Sequence, residues 1–301
     1  MRKVKAWIGA ARLRTLPLSI SGILVGTSLA NLEGHQDIVI LLFCLLITIL
    51  FQITSNFAND YGDGIKGTDD EDRLGPERAL QSGALTAKEL KWGIAVTALI
   101  SLVVSITLLI YVFGWGNLTY VFLFLGLAAI SIWAAIKYTV GDSAYGYKGL
   151  GDVFVFLFFG ILAVLGTKFL YIQNLQLVDL LPAIGIGCLC VGVLNLNNLR
   201  DVVSDRNHGK NTLIVRMGFE KGKRYHLVLL VTSLFSFVGF ALIHFKDWRL
   251  FFLAPFVLIL IHLVKVLKTS NAVELDPELK KLALSTFFLS LMLYLTINYF
   301  L

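Results

Sequence analysis

The chain has 301 residues, 57% of them hydrophobic and only 15% charged, with a net charge of +6. A water-soluble fold of this size has too little interior for so much apolar side chain, so the composition excludes one or two soluble domains and points to lipid as the solvent. The positive balance has a membrane explanation, since basic residues collect in cytoplasmic loops and face anionic lipid; no basic stretch has the form of a nucleic-acid motif, and no nucleic-acid partner is expected.

At the N-terminus, basic residues lead into a long apolar run without a small-residue cleavage signal, which is not the pattern of a signal peptide. A spanning helix needs roughly 20 mostly apolar residues, and about nine such runs follow, at 16–33, 36–59, 92–113, 118–136, 153–172, 180–199, 225–245, 250–267 and 282–300. The links after the first, third, fifth and seventh helices are short, and those after the even-numbered helices are long and polar. All 26 Lys and Arg except Lys168, Lys246 and Arg249 fall on the N-terminal segment or the links after even-numbered helices. The positive-inside rule then puts the N-terminus and the long links in the cytoplasm, and an odd number of spans puts the C-terminus outside. Trp7, Trp92, Trp115, Trp133 and Trp248 fall near predicted helix ends, where they serve as interfacial anchors or simply pack. Cys188 and Cys190 point to different sides of one helix, so they and Cys44 are read as packing residues with no metal or redox role.

Two long links open on similar acidic clusters. The first runs from Asn56 through Asn59, Asp60 and Asp63 to Asp69 and Asp70; the second runs from Asn195 through Asn197, Asn198, Arg200 and Asp201 to Asp205. In both, an Asn precedes an Asp by four residues, Asn59 with Asp63 and Asn197 with Asp201, which is a weak internal repeat; in other membrane proteins such repeats place the site at their interface. Side chains four apart lie on one helix face, with Cβ atoms about 6 Å apart, so Asn59/Asp63 and Asp201/Asp205 each present two oxygens in one direction. Carboxylates that close repel unless a cation sits between them. Oxygen-only ligands favour a hard ion, and Mg²⁺ usually takes one or two carboxylates, several waters and phosphate oxygens. Two such clusters would hold metal on either side of a diphosphate. The bland alternative is a set of solvated helix ends, with the asparagines as interhelical glue, yet three Asn within four residues of a hydrophobic helix end is a costly arrangement for glue alone. Arg73, Arg78, Arg200, Arg206, Lys210 and Arg216 interleave the acids and can reach phosphate oxygens.

Four stretches carry a family resemblance: ARLRTLPLS at 11–19, NDYGDGIKGTDDEDRLGPERALQSG at 59–83, GYKGLGDVFVFLFFGILAVLGT at 146–167 and NNLRDVVSDRNHGKNTLIVRMG at 197–218. They resemble the UbiA superfamily of intramembrane aromatic prenyltransferases, and the middle two are similar to its 1,4-dihydroxy-2-naphthoate polyprenyltransferase branch of menaquinone synthesis. The resemblance covers nearly the whole chain. It implies a single domain over 1–301, an all-α integral membrane bundle of about nine transmembrane helices with a cytoplasmic cap over a central cavity, in a bacterial inner membrane. It implies Mg²⁺ as cofactor, held by Asn59, Asp60, Asp63, Asp69, Asn197, Asp201 and Asp205, with Asp60, Asp63, Asp201 and Asp205 catalytic. Gly67 stands where the superfamily's first motif has its last Asp; Asp69 or Asp70 is expected to supply that carboxylate. The resemblance also makes Arg14, Lys148 and Lys210 substrate contacts, beside Arg73, Arg78, Arg200 and Arg206 on the diphosphate.

The implied partners are membrane lipid, a polyprenyl diphosphate and 1,4-dihydroxy-2-naphthoate. The implied reaction is ionisation of the allylic diphosphate and attack by the electron-rich ring with loss of CO₂, giving demethylmenaquinone. Two rivals are a related transferase using another acceptor, such as 4-hydroxybenzoate, and an organic-anion transporter. Transporters place their polar residues near the bilayer midplane, whereas here they cluster on one face.

Overall fold

A computed structural model describes residues 2–68 and 77–300. Among the described residues the secondary structure is helical throughout, and nine helices are long and apolar enough to cross a membrane. Exposed Leu, Ile, Val and Phe side chains stud these spans, as expected where lipid is the solvent; the chain is an integral membrane protein. The residues form two compact units, one of 1–16, 42–151 and 203–212, the other of 17–41, 152–202 and 213–301.

In the first unit, residues 2–11, expected only as a basic segment, form a helix, α1 (Arg2–Ala11). Ala6, Trp7, Ala10 and Ala11 make one apolar stripe at helical spacing. It packs on Phe57, Leu90 and Ile94, while Lys3 and Lys5 face outward. Trp7 meets Phe57 edge-on, with ring centroids 5.0 Å apart, and lies over Gly93, where a Cβ would come within 2.6 Å of the indole. Trp7 is therefore a packing residue, whereas Trp92, Trp115, Trp133 and Trp248 are all more than half exposed. The Asn56 amide donates to Ala11 O at 2.8 Å, satisfying a carbonyl at the C-terminus of α1. From α2 (Leu16–Leu32), which belongs almost wholly to the second unit, the chain passes to α3 (Ile38–Lys66).

Helix α3 runs seven residues past its expected end at 59. Gly62 and Gly64 do not break it, because a Cβ at Gly62 would meet Thr139 at 2.6–2.8 Å and one at Gly64 would meet Leu80 at 2.5 Å. Both glycines let neighbouring chain lie close on the helix. It stops at Gly67, whose φ of +70° only glycine adopts without strain. Helix α4 (Ala87–Phe113) starts earlier than expected, behind a capping box in which Thr86 and Glu89 satisfy each other's backbone N–H groups. It pairs with α5 (Leu118–Lys137).

The second unit is built around α8 (Leu180–Arg200), most of which is buried. The preceding span starts as α6 (Gly151–Val155), widens to a π-helical stretch over Phe156–Gly166 and ends as α7 (Thr167–Ile172). Every residue of Phe156–Gly166 is apolar or glycine, so its pattern cannot distinguish an α-turn from the wider π-turn. Small residues bring backbones together here. A Cβ on Gly160 would lie 2.5 Å from Gly187 Cα and 2.8 Å from Ala183 O, and one on Gly26 would lie 2.4 Å from Val164 O. Cys188 and Cys190 are buried with the core of α8.

After α9 (Val202–Asn207) and α10 (Leu213–Met217) come α11 (Phe219–His244), α12 (Pro255–Lys268) and α13 (Asp276–Phe300). A buried polar chain ties α8 to these last three. Asn195 donates to Gly222 O at 3.2 Å and meets the His226 ring at 3.3 Å; His226 meets His262 at 3.1 Å; His262 meets Glu278 at 2.7 Å. Lys281 and Lys265 close the chain on Glu278. The glue reading thus holds for Asn195. Lys168, expected as one of the few outer-side charges, is 1% exposed and bonds both oxygens of Asp179 and one of Glu33. Its charge is spent inside the unit.

Gly160→Leu forces a branched side chain into the backbone of α8. Overpacking of this kind costs about 1–3 kcal/mol, so the thermal midpoint of the purified protein in detergent should fall by several degrees, whereas Gly126→Leu, where a Cβ meets no atom within 4 Å, should leave it unchanged.

Candidate active site

The end of α3 carries the first acidic cluster, and the first unit gathers a second set of residues around it. Asp63, 5% exposed, accepts a hydrogen bond from the Tyr147 hydroxyl at 2.8 Å. Tyr147 has a single proton to give, so Thr68, whose hydroxyl lies 2.6 Å away, donates to it. The Arg78 guanidinium lies 3.8 Å from the other oxygen of Asp63. Asn59 accepts from Thr139 at 3.2 Å. Asp60 serves a different purpose: at 1% exposure, its carboxylate accepts the backbone N–H groups of Ala79 at 3.2 Å and Leu80 at 3.5 Å. It staples the returning chain onto α3 and thereby places Arg78.

Asp205 and Lys210 belong to this same unit. The turn after α9 docks on the 3-10 turn Tyr145–Lys148 through Asn211 N–H to Tyr147 O at 3.1 Å. Gly209, at φ +68°, makes that reversal possible. The Lys210 ammonium lies 3.4 Å from Asp205 and interacts with Asp63 as well. Burial pulls this ammonium down, and the carboxylates of Asp63 and Asp205 more than offset it, leaving it well above the ordinary lysine range. It therefore stays charged through neutral pH, and its contribution to stability fades only as pH rises through that raised value. Burial, then the Asp63 charge, push the Tyr147 phenol up, so it remains a donor. The Tyr147 ring also underlies Lys66, at 3.9 Å from its centroid, and Lys210, at 5.6 Å.

The rest of the second cluster lies in the second unit. Helix α8 ends at Arg200, its C-cap Asp201 stands at φ −94° and ψ 9°, and α9 begins at Val202, so Asp205 is carried by the short helix that follows; Asn59 and Asp63 sit together on α3. Arg200, 5% exposed, donates to both oxygens of Asp201 at 2.7 Å, to Asn197 Oδ1 at 2.9 Å and to Asp276 at 2.6 Å. Expected as a diphosphate ligand, Arg200 is committed here to organising the carboxylates. Arg14, Lys148, Arg206 and Arg216 are exposed. Asp69, Asp70 and Arg73 lie outside the described residues.

In the first unit Asn59, Asp63 and Asp205, and in the second Asn197 and Asp201, carry oxygen donors of the kind a hard cation such as Mg²⁺ takes alongside waters and phosphate oxygens. Tyr147, Thr139 and Asp276 are the partners that sequence reasoning missed; only Tyr147 left a signal, as the aromatic beside Lys148 in a glycine-rich turn.

Lys210→Met removes the cation that Asp63 and Asp205 share. Breaking such a buried pair costs about 3 kcal/mol or more, so the variant should melt earlier in chelator. Added Mg²⁺ should raise its melting point by more than it raises the wild type's.

Comparison with known proteins bears on the family. The UbiA prenyltransferase family profile matches residues 19–293, running through both units. The 1,4-dihydroxy-2-naphthoate octaprenyltransferase of Haemophilus influenzae is 43% identical, covering 96% of this chain and 94% of its own; that of Escherichia coli is 41% identical, covering 93% and 90%. Among solved structures, a UbiA homolog from Archaeoglobus fulgidus bound to DMAPP and Mg²⁺ superposes with a TM-score of 0.61 at 13% identity, covering 93% of this chain and 98% of that one. The apo structure of a UbiA homolog from Aeropyrum pernix K1 gives 0.67 at 16%, covering 92% and 96%. With relatives above 40% identity along almost the full length of both chains, the protein belongs to the UbiA prenyltransferase family.

Proposed function

We propose that this prenyltransferase moves a polyprenyl group from its diphosphate to 1,4-dihydroxy-2-naphthoate, with loss of CO₂, giving demethylmenaquinone. The observation that carries the acceptor is the end-to-end similarity to two 1,4-dihydroxy-2-naphthoate octaprenyltransferases. The whole chain acts as one domain in this reading.

Asn59, Asp63, Asn197, Asp201 and Asp205 hold Mg²⁺, with Asp69 or Asp70 adding a carboxylate. When bound, Mg²⁺ supplies positive charge against the leaving diphosphate. Arg73, Arg78, Lys210, Arg14, Lys148 and Arg206 bind its remaining oxygens, and Arg200 keeps Asn197 and Asp201 in place. As the allylic C–O bond breaks, its electron pair leaves with the diphosphate, and these fixed cations stabilise the charge where it develops. Tyr147 keeps Asp63 oriented, and Asp60 acts through the chain segment that carries Arg78. The apolar interior excludes water from the allylic cation until the ring carbon attacks it.

Activity should require Mg²⁺ or a similar hard divalent ion and vanish on chelation. Asp63→Asn and Asp201→Asn should each lower the rate at least about 10²-fold, because a metal-holding carboxylate contributes several kcal/mol of charge stabilisation. Full activity in Asp201→Asn would remove the second cluster from the site.

The acceptor is tested with carboxyl-labelled naphthoate and octaprenyl diphosphate, in membranes containing only this transferase. Labelled CO₂ should appear in step with prenylated product. Product that keeps its carboxylate, or a clear preference for 4-hydroxybenzoate, points to another acceptor branch.

The N-terminus and the links at 60–91 and 200–224 face the cytoplasm in this proposal, in a bacterial inner membrane, with the C-terminus outside. Single cysteines placed in either link should resist an impermeant thiol reagent in intact cells and react once the membrane is opened; labelling from outside would separate the two clusters and dismantle the shared site.

A further inference from the structure

Apart from the Arg200–Asp201 pair and Lys223, which bonds the carbonyls of Leu267 and Thr269, the second unit holds three sets of buried carboxylate, lysine and histidine side chains. Two are closed on themselves: Lys168 with Asp179 and Glu33, and the His226–His262–Glu278 chain with its lysines. The third is not. Asp152, in the first turn of α6, is only 7% exposed, and its Oδ1 has no hydrogen-bond partner among the described residues. The Tyr225 hydroxyl interacts with its carboxylate. A buried carboxylate oxygen left bare inside a membrane span is costly and marks a functional group.

Its place in the unit limits what it can serve. Tyr225 lies near Cys188 of α8, and its neighbour His226 touches Asn195. Asn195 precedes Asp201 by six residues, about 9 Å of helix rise. Asp152 and Tyr225 thus flank α8 on the apolar side of Asn197 and Asp201. In the proposed reading, a substrate whose diphosphate is held at Asp201 would reach toward them with its reactive carbon and the stacked aromatic ring.

We infer that Asp152 is the catalytic base and acid for the acceptor's ring hydroxyl, with Tyr225 as the positioning residue that fixes its carboxylate and leaves Oδ1 to the substrate. The inference rests on the proposed decarboxylating prenyl transfer. As the ring carbon bearing the carboxylate bonds to the allylic carbon, the neighbouring ring hydroxyl gives its proton to Asp152 Oδ1 and becomes a carbonyl. The bond from the ring to the carboxylate then breaks, its electron pair restores the aromatic ring, and CO₂ leaves. The carbonyl oxygen, now a phenolate, takes the proton back from Asp152. No proton is lost or gained overall, and no oxidant is needed. A buried carboxylate within reach of the hydroxyl can carry the proton through both steps.

The test compares wild type with Asp152→Asn, Asp152→Glu and Tyr225→Phe between about pH 6 and 10. Asp152→Asn should lower kcat by about 10²-fold or more while leaving KM for octaprenyl diphosphate near wild type. That loss should shrink as pH rises through the acceptor's own hydroxyl ionisation, because a phenolate needs no base. Asp152→Glu should recover part of the rate, and Tyr225→Phe should lose roughly tenfold, in keeping with one hydrogen bond to a charged group. Retained Mg²⁺-dependent thermal protection by a prenyl thiodiphosphate shows that each variant is folded; if Asp152→Asn is not, the pH profile of Tyr225→Phe decides. A loss that is equal at every pH, a change in KM alone, or full activity in Asp152→Asn overturns the inference. Should the wild type prefer 4-hydroxybenzoate, the same comparison with that acceptor separates the two readings: a pH-rescued loss keeps Asp152 as the base while the naphthoate acceptor fails, and a pH-independent loss removes Asp152 as well.

Discussion

Two carboxylates cannot share a water-poor site unless a cation answers both, and in the first unit Lys210 answers Asp63 and Asp205. Much of the local architecture follows from keeping that arrangement. Helix α3 continues past the apolar run to carry Asp63, and Gly62 and Gly64 let it pack there against Thr139 and Leu80. The turn after α9 has to fold back, which Gly209 allows, and it is held by the Tyr147 carbonyl. Within this unit Tyr147 links α3 to the turn after α9, donating to Asp63 while its ring faces Lys66 and Lys210.

The second unit solves a different problem with a different device. There, Arg200 gathers Asn197, Asp201 and Asp276 with one guanidinium. A planar fork with five donors can satisfy several oxygens at once, which a lysine cannot do. The helix that presents these groups is locked from below by close backbone contact with the π-helical stretch and from the side by the Asn195–His226–His262–Glu278 chain. Rigid support of this kind suits groups that must meet developing charge without reorganising. Asp152 differs in that one of its buried carboxylate oxygens has no hydrogen-bond partner among the described residues.

Some departures from the sequence reading have specific causes. The ends of α3 and α4 moved because glycines there serve close packing and because the capping box at Thr86 starts the helix before the apolar run does. Helix α1 escaped notice because its apolar stripe is short and sits among basic residues, so it looks like a charged tail until Phe57 and Ile94 are there to receive it.

The amino-acid sequence by itself determined the membrane setting, the number of spans and the two acidic clusters, because hydrophobic length and motif spacing are properties of the chain read in order. It also singled out Asp63, Asp201, Asp205 and their basic neighbours as candidates for one chemistry. Tertiary structure alone decided which cation meets which carboxylate. Asp60 and Asp63 are three residues apart and look equivalent, yet one staples backbone and the other meets Tyr147. Arg78, Lys210 and Arg200 are alike in charge, and only folding assigns the first two to Asp63 and Asp205 and the third to Asp201. Charge pairing depends on distance through space and on burial, and neither is written in the order of residues.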